Sequence, residues 1–525
     1  MPIEQLKNNL RRSVLGYGAR QAIVISLIVG WNVLLSRLVG PTAYGDIVVI
    51  QWVYTVYLLI VDAGLGAYLV QSSETVDDRR LSNIVGLQLV FAAGFCAFVG
   101  AGTLFFDSFF PQERLHWMLV AAAATGMLTV VRNGALISVE WAVRVHTAIH
   151  VDIAEEIAFA VVAVGFALNG FGAWSFVFGL LAKGLVGALV AWTTRGFRWR
   201  RPDLRCGGEL PSALRFGLRH QAAQLVNMAR VLVNPLFIIP MLGIAAAGMV
   251  DRAWYIAGAM PSILLAILRK TLFPYIARMR GNPIAVREVM ERSIFLHAVV
   301  DKVVFLPLIL LAPEFVRFIL GETWLPMVPL LYWLLVGNSL FGALAGPLYP
   351  VAVGLARPDL VLRFNLIVMI SSWVLIVPLT MAFGITGVGI AGFILSLSII
   401  ILQKQLAATL GRVSYWRQIA KPVLVFAVML TVGELWIHIL ESGTQSAQSR
   451  VFIAAFATSG YVAGIWLLER TRLHRAWKLL SGGDAPKVGE VSAPDSADGG
   501  PVERNGPEKA TLARVSIKTA ERSAS

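Results

Sequence analysis

Six cationic residues lie inside strongly apolar stretches of the sequence, and their side chains are the first candidates for chemistry. They are Arg20, Arg132, Lys183, Arg219, Arg230 and Lys302. A charge at the centre of a membrane helix costs at least ~2.5–3.5 kcal/mol, so such residues usually face a cavity or a partner. A guanidinium group donates paired hydrogen bonds to phosphate and carboxylate groups. The arginines therefore indicate a cavity that accepts an anionic ligand.

Two of these arginines share one helix face. Arg219 and Arg230 are eleven residues apart, which is close to three helical turns and about 16 Å along the axis. Asn227 and Asn234 fall near the same face. Such a polar stripe must line water or protein, because lipid cannot satisfy its hydrogen bonds. The alternative for Arg20 and Arg219 is that they lie near helix ends and extend to lipid headgroups.

Acidic residues occupy the same apolar stretches. Asp62 and Asp301 are candidates for binding a coupling ion, although pairing with a neighbouring cation explains each equally simply. We expect Asp152, Glu155 and Glu156 to be solvated near a helix end.

The sequence offers no catalytic motif. It has no P-loop, no H-E-x-x-H motif and no cysteine cluster. His146 and His150 have i,i+4 spacing but no further metal ligand near them. We therefore predict no catalytic residue, no cofactor and no metal site.

The composition shows what kind of protein must position these charges. Of 525 residues, 57% are hydrophobic and 14% are charged, against about 45–50% and about 25% in ordinary soluble domains. A soluble protein of this size could not cover its surface with so few charges. A soluble enzyme, a disordered chain and a nucleic-acid binder are excluded, despite a net charge of +14. We predict an all-α polytopic membrane protein that binds no nucleic acid.

Apolar stretches long enough to cross a bilayer number fourteen. They are 14–38, 45–70, 82–106, 116–139, 149–169, 172–194, 213–239, 247–268, 293–312, 327–353, 360–382, 386–405, 419–440 and 450–469. Short turns rich in Gly, Pro and Asn separate many of them, such as Gly40-Pro41 and Gly384-Ile385-Thr386-Gly387. With the N-terminus in the cytoplasm, the inner segments hold 28 Lys and Arg residues and the outer segments hold five, which are Arg37, Arg114, Arg252, Arg317 and Arg450. This bias predicts that both termini are cytoplasmic.

An internal repeat divides the chain. Residues 13–20 and 212–219 share Ser, Leu, an aromatic residue, Gly and Arg at matching positions. Six predicted spans separate the copies, so the halves insert in parallel, as in transporters that bind substrate between repeats. The alternative is chance similarity between two membrane entries. We predict an N-terminal lobe (1–194), a basic linker (195–212), a C-terminal lobe (213–406), two extra spans (407–470) and a tail (471–525) that is disordered from about 481.

Four segments resemble one known family. LVGPTAYG at 38–45 and DAGLGAYLVQ at 62–71 resemble the opening of Wzx-type polysaccharide flippases. LAPEFVRFILGETWLP at 311–326 and GLARPD at 354–359 resemble later regions of the same family. This family belongs to the multidrug/oligosaccharidyl-lipid/polysaccharide exporter superfamily.

The resemblance implies a fold, a substrate and a mechanism. It implies two pseudo-symmetric six-helix lobes around a central cavity, two C-terminal helices and ion-coupled alternating access. The implied substrate is an undecaprenyl-pyrophosphate-linked oligosaccharide, moved across the bacterial inner membrane for exopolysaccharide, capsule or O-antigen synthesis. The resemblance also implies that Arg20, Arg219 and Arg230 bind the pyrophosphate, with Lys183 and Arg132 as lesser candidates. Implied partners are membrane lipid, a polysaccharide polymerase and a chain-length regulator.

Three other functions stay open at this point. A drug or cation exporter of the same superfamily should carry acids rather than arginines in its cavity. A membrane-embedded polymerase or glycosyltransferase should have a large outer loop or a soluble catalytic region, and the sequence has neither. A scaffold of a polysaccharide assembly complex is the third alternative.

Overall fold

The computed structural model describes most of the chain up to residue 480. The described ranges are 3–71, 77–102, 113–141, 145–193, 199–202, 232–279, 281–411, 413–440 and 447–480, with isolated positions between 211 and 229. Within these ranges the structure is almost wholly helical and contains no β-strand. The all-α class predicted from the sequence is therefore confirmed. The predicted disordered tail lies outside the described residues.

The helices follow one another with short connections. They are α1 (Ile3–Asp62), α2 (Leu65–Gln71), α3 (Asp78–Gly102), α4 (Glu113–Trp141), α5 (Val145–Leu168), α6 (Trp174–Thr193), α7 (Ile239–Leu242), α8 (Ile244–Met279), α9 (Pro283–Leu310), α10 (Ala312–Ile319), α11 (Val328–Gly337), α12 (Ala343–Gly354), α13 (Pro358–Phe383), α14 (Ile385–Ser396), α15 (Ile399–Leu410), α16 (Tyr415–Leu440) and α17 (Ala447–Leu480). Two π-helical turns, Asn234–Ile238 and Asn338–Gly342, precede α7 and α12.

Helix α1 differs from the prediction in two places. The predicted turn at Gly40-Pro41 is a kink inside one long helix, with φ of 72° at Gly40. The predicted span 45–70 is interrupted after Asp62, because Ala63 and Gly64 both adopt positive φ before α2 begins.

Ten helical stretches within the described residues are long and apolar enough to cross a membrane. One of them, the part of α1 from Val24 to Asp62, covers two predicted spans. The seventh predicted span, 213–239, lies largely outside the described residues. The total of fourteen spans remains a prediction.

The described residues up to Leu473 form one compact unit. Within this unit, α1 packs on α4 and α5 and also on α8. Helices α3, α5 and α6 pack on α4, whereas α8 and α9 pack on α12, and α16 packs on α9. Helix α1 is thus the element that joins the N-terminal helices to the C-terminal ones. The predicted domain boundaries stay predictions.

Candidate functional site

A cavity of about 580 Å³ lies between the N-terminal and C-terminal helices. This volume is within the usual range for small-ligand sites. One wall is the second half of α1, and the opposite wall combines two positions of the seventh predicted span with α8. The described lining residues are Val48, Gln51, Trp52, Thr55, Leu58, Leu59, Asp62, Gln221, Met228 and Asp251.

The α1 wall is a single helix face. Its lining residues recur three or four positions apart, which places them along one side of the helix. Along this face, Gln51, Thr55 and Asp62 alternate with apolar side chains and with Trp52. Carboxylate, amide and hydroxyl groups beside an indole ring can hydrogen-bond to a hydroxylated head group and cover its apolar face. The cavity therefore suits a polar, uncharged or partly cationic moiety at this wall.

Beside Asp251, which lines the cavity, Arg252 on α8 contacts α1; we name this the outer end, after the predicted orientation. The Arg252 side chain is buried, with a residue exposure of 4%. Its guanidinium donates to Oδ1 of Asn32 and to Oγ of Ser36 (3.4 Å), both on α1. It also donates to its neighbour Asp251 (2.7 Å). Arg252 thus ties the two halves together across the cavity.

Aromatic rings and close backbone packing reinforce this outer closure. The Arg252 guanidinium carbon lies 4.3 Å from the ring centre of Tyr44 and 4.7 Å from that of Tyr255, within the range of cation–π attraction. Next to Tyr44, α1 meets α8 so closely that a Cβ on Gly248 would lie 2.6 Å from the Pro41 carbonyl oxygen. Only glycine permits this approach.

The two halves also contact each other at the opposite, inner end, near Asp62. A Cβ on Gly217 would lie 1.8 Å from the carbonyl oxygen of Ala63, and one on Gly64 would lie 2.6 Å from the Cα of Gly217. Beside this contact, Nε2 of Gln221 donates to Oδ2 of Asp62 (3.0 Å). Contacts between α1 and the opposite wall therefore lie at both ends of the cavity.

Two predicted anion ligands, Arg132 and Lys183, lie among the N-terminal helices and are bound to acids there. Arg132 on α4 donates to Asp152 (2.9 Å) and to Glu155 on α5. Lys183 on α6 donates to Glu156, which also accepts a bond from the Trp31 indole (3.1 Å). This arrangement satisfies both cations inside the bundle; their pyrophosphate role remains a prediction.

The expectation that the α5 acids are solvated is wrong for two of the three. Glu155 and Glu156 are buried, with exposures of 3% and 6%, whereas the side chain of Asp152 is 44% exposed. The reason is that cations on α4 and α6 accompany the acids into the bundle, which compensates the cost of burial.

The remaining predicted site residues divide by what the structure describes. Asp62 lines the cavity, and Asp301 is buried within α9. Asn234 begins a π-helical turn and is partly exposed, but is not among the described lining residues. The described residues do not include Asn227, Arg219 or Arg230. For Arg20 the structure describes the backbone, which belongs to α1, but not the side chain.

Sequence reasoning missed several residues of the cavity and its closure. Gln51, Trp52 and Thr55 looked like ordinary membrane-helix residues, although their shared helix face was a usable signal. Asp251 was not singled out, and Arg252 was counted only as an outer charge. An adjacent acid and base at a span end could have indicated a contact between helices.

A comparison with known protein families assigns the chain to one of them. The sequence profile of the family described as "Polysaccharide biosynthesis protein" matches residues 34–329, more than half of the chain. This chain belongs to that family. The match confirms the resemblance to Wzx-type flippases at the level of the family.

Two relatives with similar sequences agree with membership of the polysaccharide biosynthesis protein family. An "Uncharacterized membrane protein in cps region" from Klebsiella pneumoniae is 22% identical over 64% of this chain and 70% of its own length. The Escherichia coli "Lipopolysaccharide biosynthesis protein WzxC" is 26% identical over 29% of this chain and 31% of its own.

A solved structure supports the fold. The lipid II flippase MurJ, in an inward closed conformation, superposes with a TM-score of 0.67 at 11% identity, covering 87% of this chain and all of that one. This chain therefore shares the polytopic helical fold of that structure. The prediction that the chain is not an enzyme agrees with these comparisons.

Proposed function

We propose that this protein translocates a lipid-linked oligosaccharide across the bacterial inner membrane. The observation that carries the proposal is the 580 Å³ cavity, which lies between two sets of helices that contact each other at both of its ends. Family membership supplies the polysaccharide context. No covalent bond is made or broken, so the protein has only to bind, enclose and release its substrate.

The proposed substrate is an undecaprenyl-pyrophosphate-linked repeat unit used for exopolysaccharide, capsule or O-antigen. Its sugars would contact Gln51, Trp52 and Thr55, which offer hydrogen bonds and an aromatic surface. Its pyrophosphate would bind to Arg20, Arg219 and Arg230, with Arg132 and Lys183 as lesser candidates. These are the side chains whose paired donors suit phosphate oxygens. Its polyprenyl chain would remain in lipid outside the cavity.

Translocation requires that the two closures open in turn. Inward opening would separate Gly217 from Ala63 and Gly64 while the Arg252 contacts hold the outer end closed. Outward opening would break the Arg252 bonds to Asn32 and Ser36 after the inner end has closed. An ion gradient would drive this cycle, and both termini would lie in the cytoplasm. A polymerase and a chain-length regulator would receive the exported unit.

The proposal is tested by deleting the gene and analysing lipid-linked intermediates. Accumulation of undecaprenyl-linked repeat units inside the cell, reversed by the wild-type gene, is expected. The sugar composition of the accumulated lipid would identify the substrate. Normal export in the deletion strain, with no accumulated intermediate and no second flippase gene, would contradict the proposal.

A second candidate function is favoured by one observation, the acidity of the described cavity wall. Both charged residues among its described lining side chains, Asp62 and Asp251, are acids. Acids rather than arginines are expected in a drug or cation exporter of the same superfamily. Transport of a cationic dye by the purified protein in liposomes, with no movement of lipid-linked oligosaccharide, would favour that function.

A further inference from the structure

A buried carboxylate in α9, distant in sequence from the cavity-lining residues, receives no hydrogen bond from the protein. Asp301 is fully buried, and neither carboxylate oxygen has a donor among the described residues. An ionised carboxylate in such a place costs far more than a protonated one, unless it is paired. The surroundings of Asp301 therefore determine what it binds.

The neighbouring cation makes no hydrogen bond to this carboxylate, although the two charges attract each other. Lys302 is also fully buried, and its ammonium group donates to the backbone carbonyl of Ser339. Consecutive residues of a helix point about 100° apart, so Lys302 and Asp301 face different neighbours. Among the described residues, a titratable group on a packed helix near Asp301 is Tyr461 of α17, whose hydroxyl donates to the Val299 carbonyl (3.4 Å).

A histidine one turn earlier faces Asp301 directly. Nε2 of His297 lies 3.6 Å from Oδ2 of Asp301, and this nitrogen also has no hydrogen-bond partner among the described residues. The separation is slightly longer than a hydrogen bond, so a small side-chain rotation closes it. A proton on Asp301 would let the carboxyl group donate to Nε2 and would satisfy both groups at once.

A second cavity, of about 240 Å³, has polar side chains in its lining and lies near this pair. Gly342, in the π-helical turn before α12, lines this cavity, and a Cβ built on it would lie 3.6 Å from Oδ2 of Asp301. Asn338, Tyr349 and Asn365 supply polar groups along the cavity. Turns of π-helix inside α-helices are frequent at functional sites. Gly342 thus lies on the wall of the cavity and beside the carboxylate.

We propose that Asp301 and His297 form the proton-binding site that couples transport to the proton gradient. This inference rests on the proposed transport function and extends it to a named ion and a named pair. A proton fits better than a metal cation, because one carboxylate and one imidazole are few ligands and Lys302 repels a second cation. The described residues contain no cluster of three or more His, Cys, Asp or Glu that could hold a metal. The proton would enter from the 240 Å³ cavity and return to it.

Infrared difference spectroscopy of the purified protein tests the site without any substrate. Spectra are compared between about pH 5 and about pH 8, where carboxyl–imidazole pairs titrate. We expect a band of a protonated carboxyl group that is absent from Asp301→Asn and shifted in His297→Gln. The control variant Asp359→Asn, at a half-exposed carboxylate, should keep the wild-type band. Both test variants are nearly isosteric, and size-exclusion chromatography checks that they remain folded.

A transport measurement completes the test. With lipid-linked oligosaccharide in liposomes, an imposed proton gradient should accelerate wild-type translocation at least about tenfold more than that of Asp301→Asn. Identical infrared spectra for wild type and Asp301→Asn would overturn the site, and an unchanged gradient response would overturn its coupling role. If the band behaves as expected but wild-type protein moves no lipid-linked oligosaccharide, the proposed substrate fails while the proton site stands.

Discussion

Replacing Arg252 with alanine should release the outer end of the cavity. The change removes a buried guanidinium that links α8 to Asn32, Ser36 and Tyr44 on α1. A hydrogen bond to a charged group contributes about 1.5–3 kcal/mol, and a cation–π contact about 0.5–1 kcal/mol or more. We therefore expect the outer-closed state to lose roughly 2–4 kcal/mol relative to the outer-open one, which is a population shift of about 30- to 700-fold.

Accessibility of the cavity measures this shift. Thr55→Cys is introduced on the cavity wall, with Cys96 and Cys206 replaced by serine, and is labelled by a membrane-impermeant maleimide from the outer side. Arg252→Ala should raise the labelling rate by up to about 30- to 700-fold, which is the expected shift in population. Arg252→Lys should have an intermediate effect, because lysine keeps the charge but loses the planar fork.

The control for this experiment is a second outer arginine. Arg317 has a half-exposed side chain and lies 3.6 Å from Glu322, so Arg317→Ala should label at the wild-type rate. A wild-type rate in folded Arg252→Ala protein would refute the role assigned to Arg252. Equal acceleration in both alanine variants would show a general effect of lost charge rather than the loss of a specific contact.

Three further predictions concern the ligand, the inner closure and the N-terminal charge cluster. Arg219→Ala and Arg230→Ala should each abolish polymer export. Membrane insertion should stay normal, as measured by immunoblot of membrane fractions. Wild-type export in both variants would exclude the capture of pyrophosphate by these arginines. Gly217→Ala should lower export at least about fivefold, because the methyl group overlaps the Ala63 carbonyl and overpacking costs about 1–3 kcal/mol. Export assays that show no loss would exclude this contact from the transport cycle. Arg132→Met should lower the free energy of unfolding by about 2–3 kcal/mol, because it leaves the buried carboxylate of Glu155 without its cation. Adding Glu155→Gln to the same chain should restore part of this loss. Unfolding in detergent measures both variants, and unchanged stability with lost export would instead assign Arg132 to substrate binding.

The membrane-spanning architecture could be predicted from the sequence because hydrophobic length and loop composition act locally. The stretch 172–194 coincides closely with α6, and the turn predicted at Gly384 separates α13 from α14 as observed. The kink at Gly40 was predicted as a turn, since glycine and proline together indicate a break but do not fix its angle. The irregular backbone at Ala63 could not be foreseen, because alanine normally avoids positive φ.

The partners of the charged residues could not be predicted because they depend on helix neighbours. Arg132 and Lys183 were correctly expected to face a cavity or a partner, but their carboxylate partners lie on α5, up to 27 residues away. Arg252 looked like one outer charge among five, whereas the fold buries it between α1 and α8. Only three-dimensional packing distinguishes a buried arginine that joins two halves from an exposed one that sets topology.

Translocation of a lipid-linked oligosaccharide by purified protein in liposomes tests the central claim most directly. The fraction of head groups that a membrane-impermeant lectin can reach is followed over time. We predict that wild-type protein transfers labelled head groups between leaflets, and that Arg219→Ala and Arg230→Ala leave them where they were incorporated. Equal transfer by wild type and both variants would contradict the binding mechanism, and no transfer by folded wild-type protein would contradict the flippase function itself.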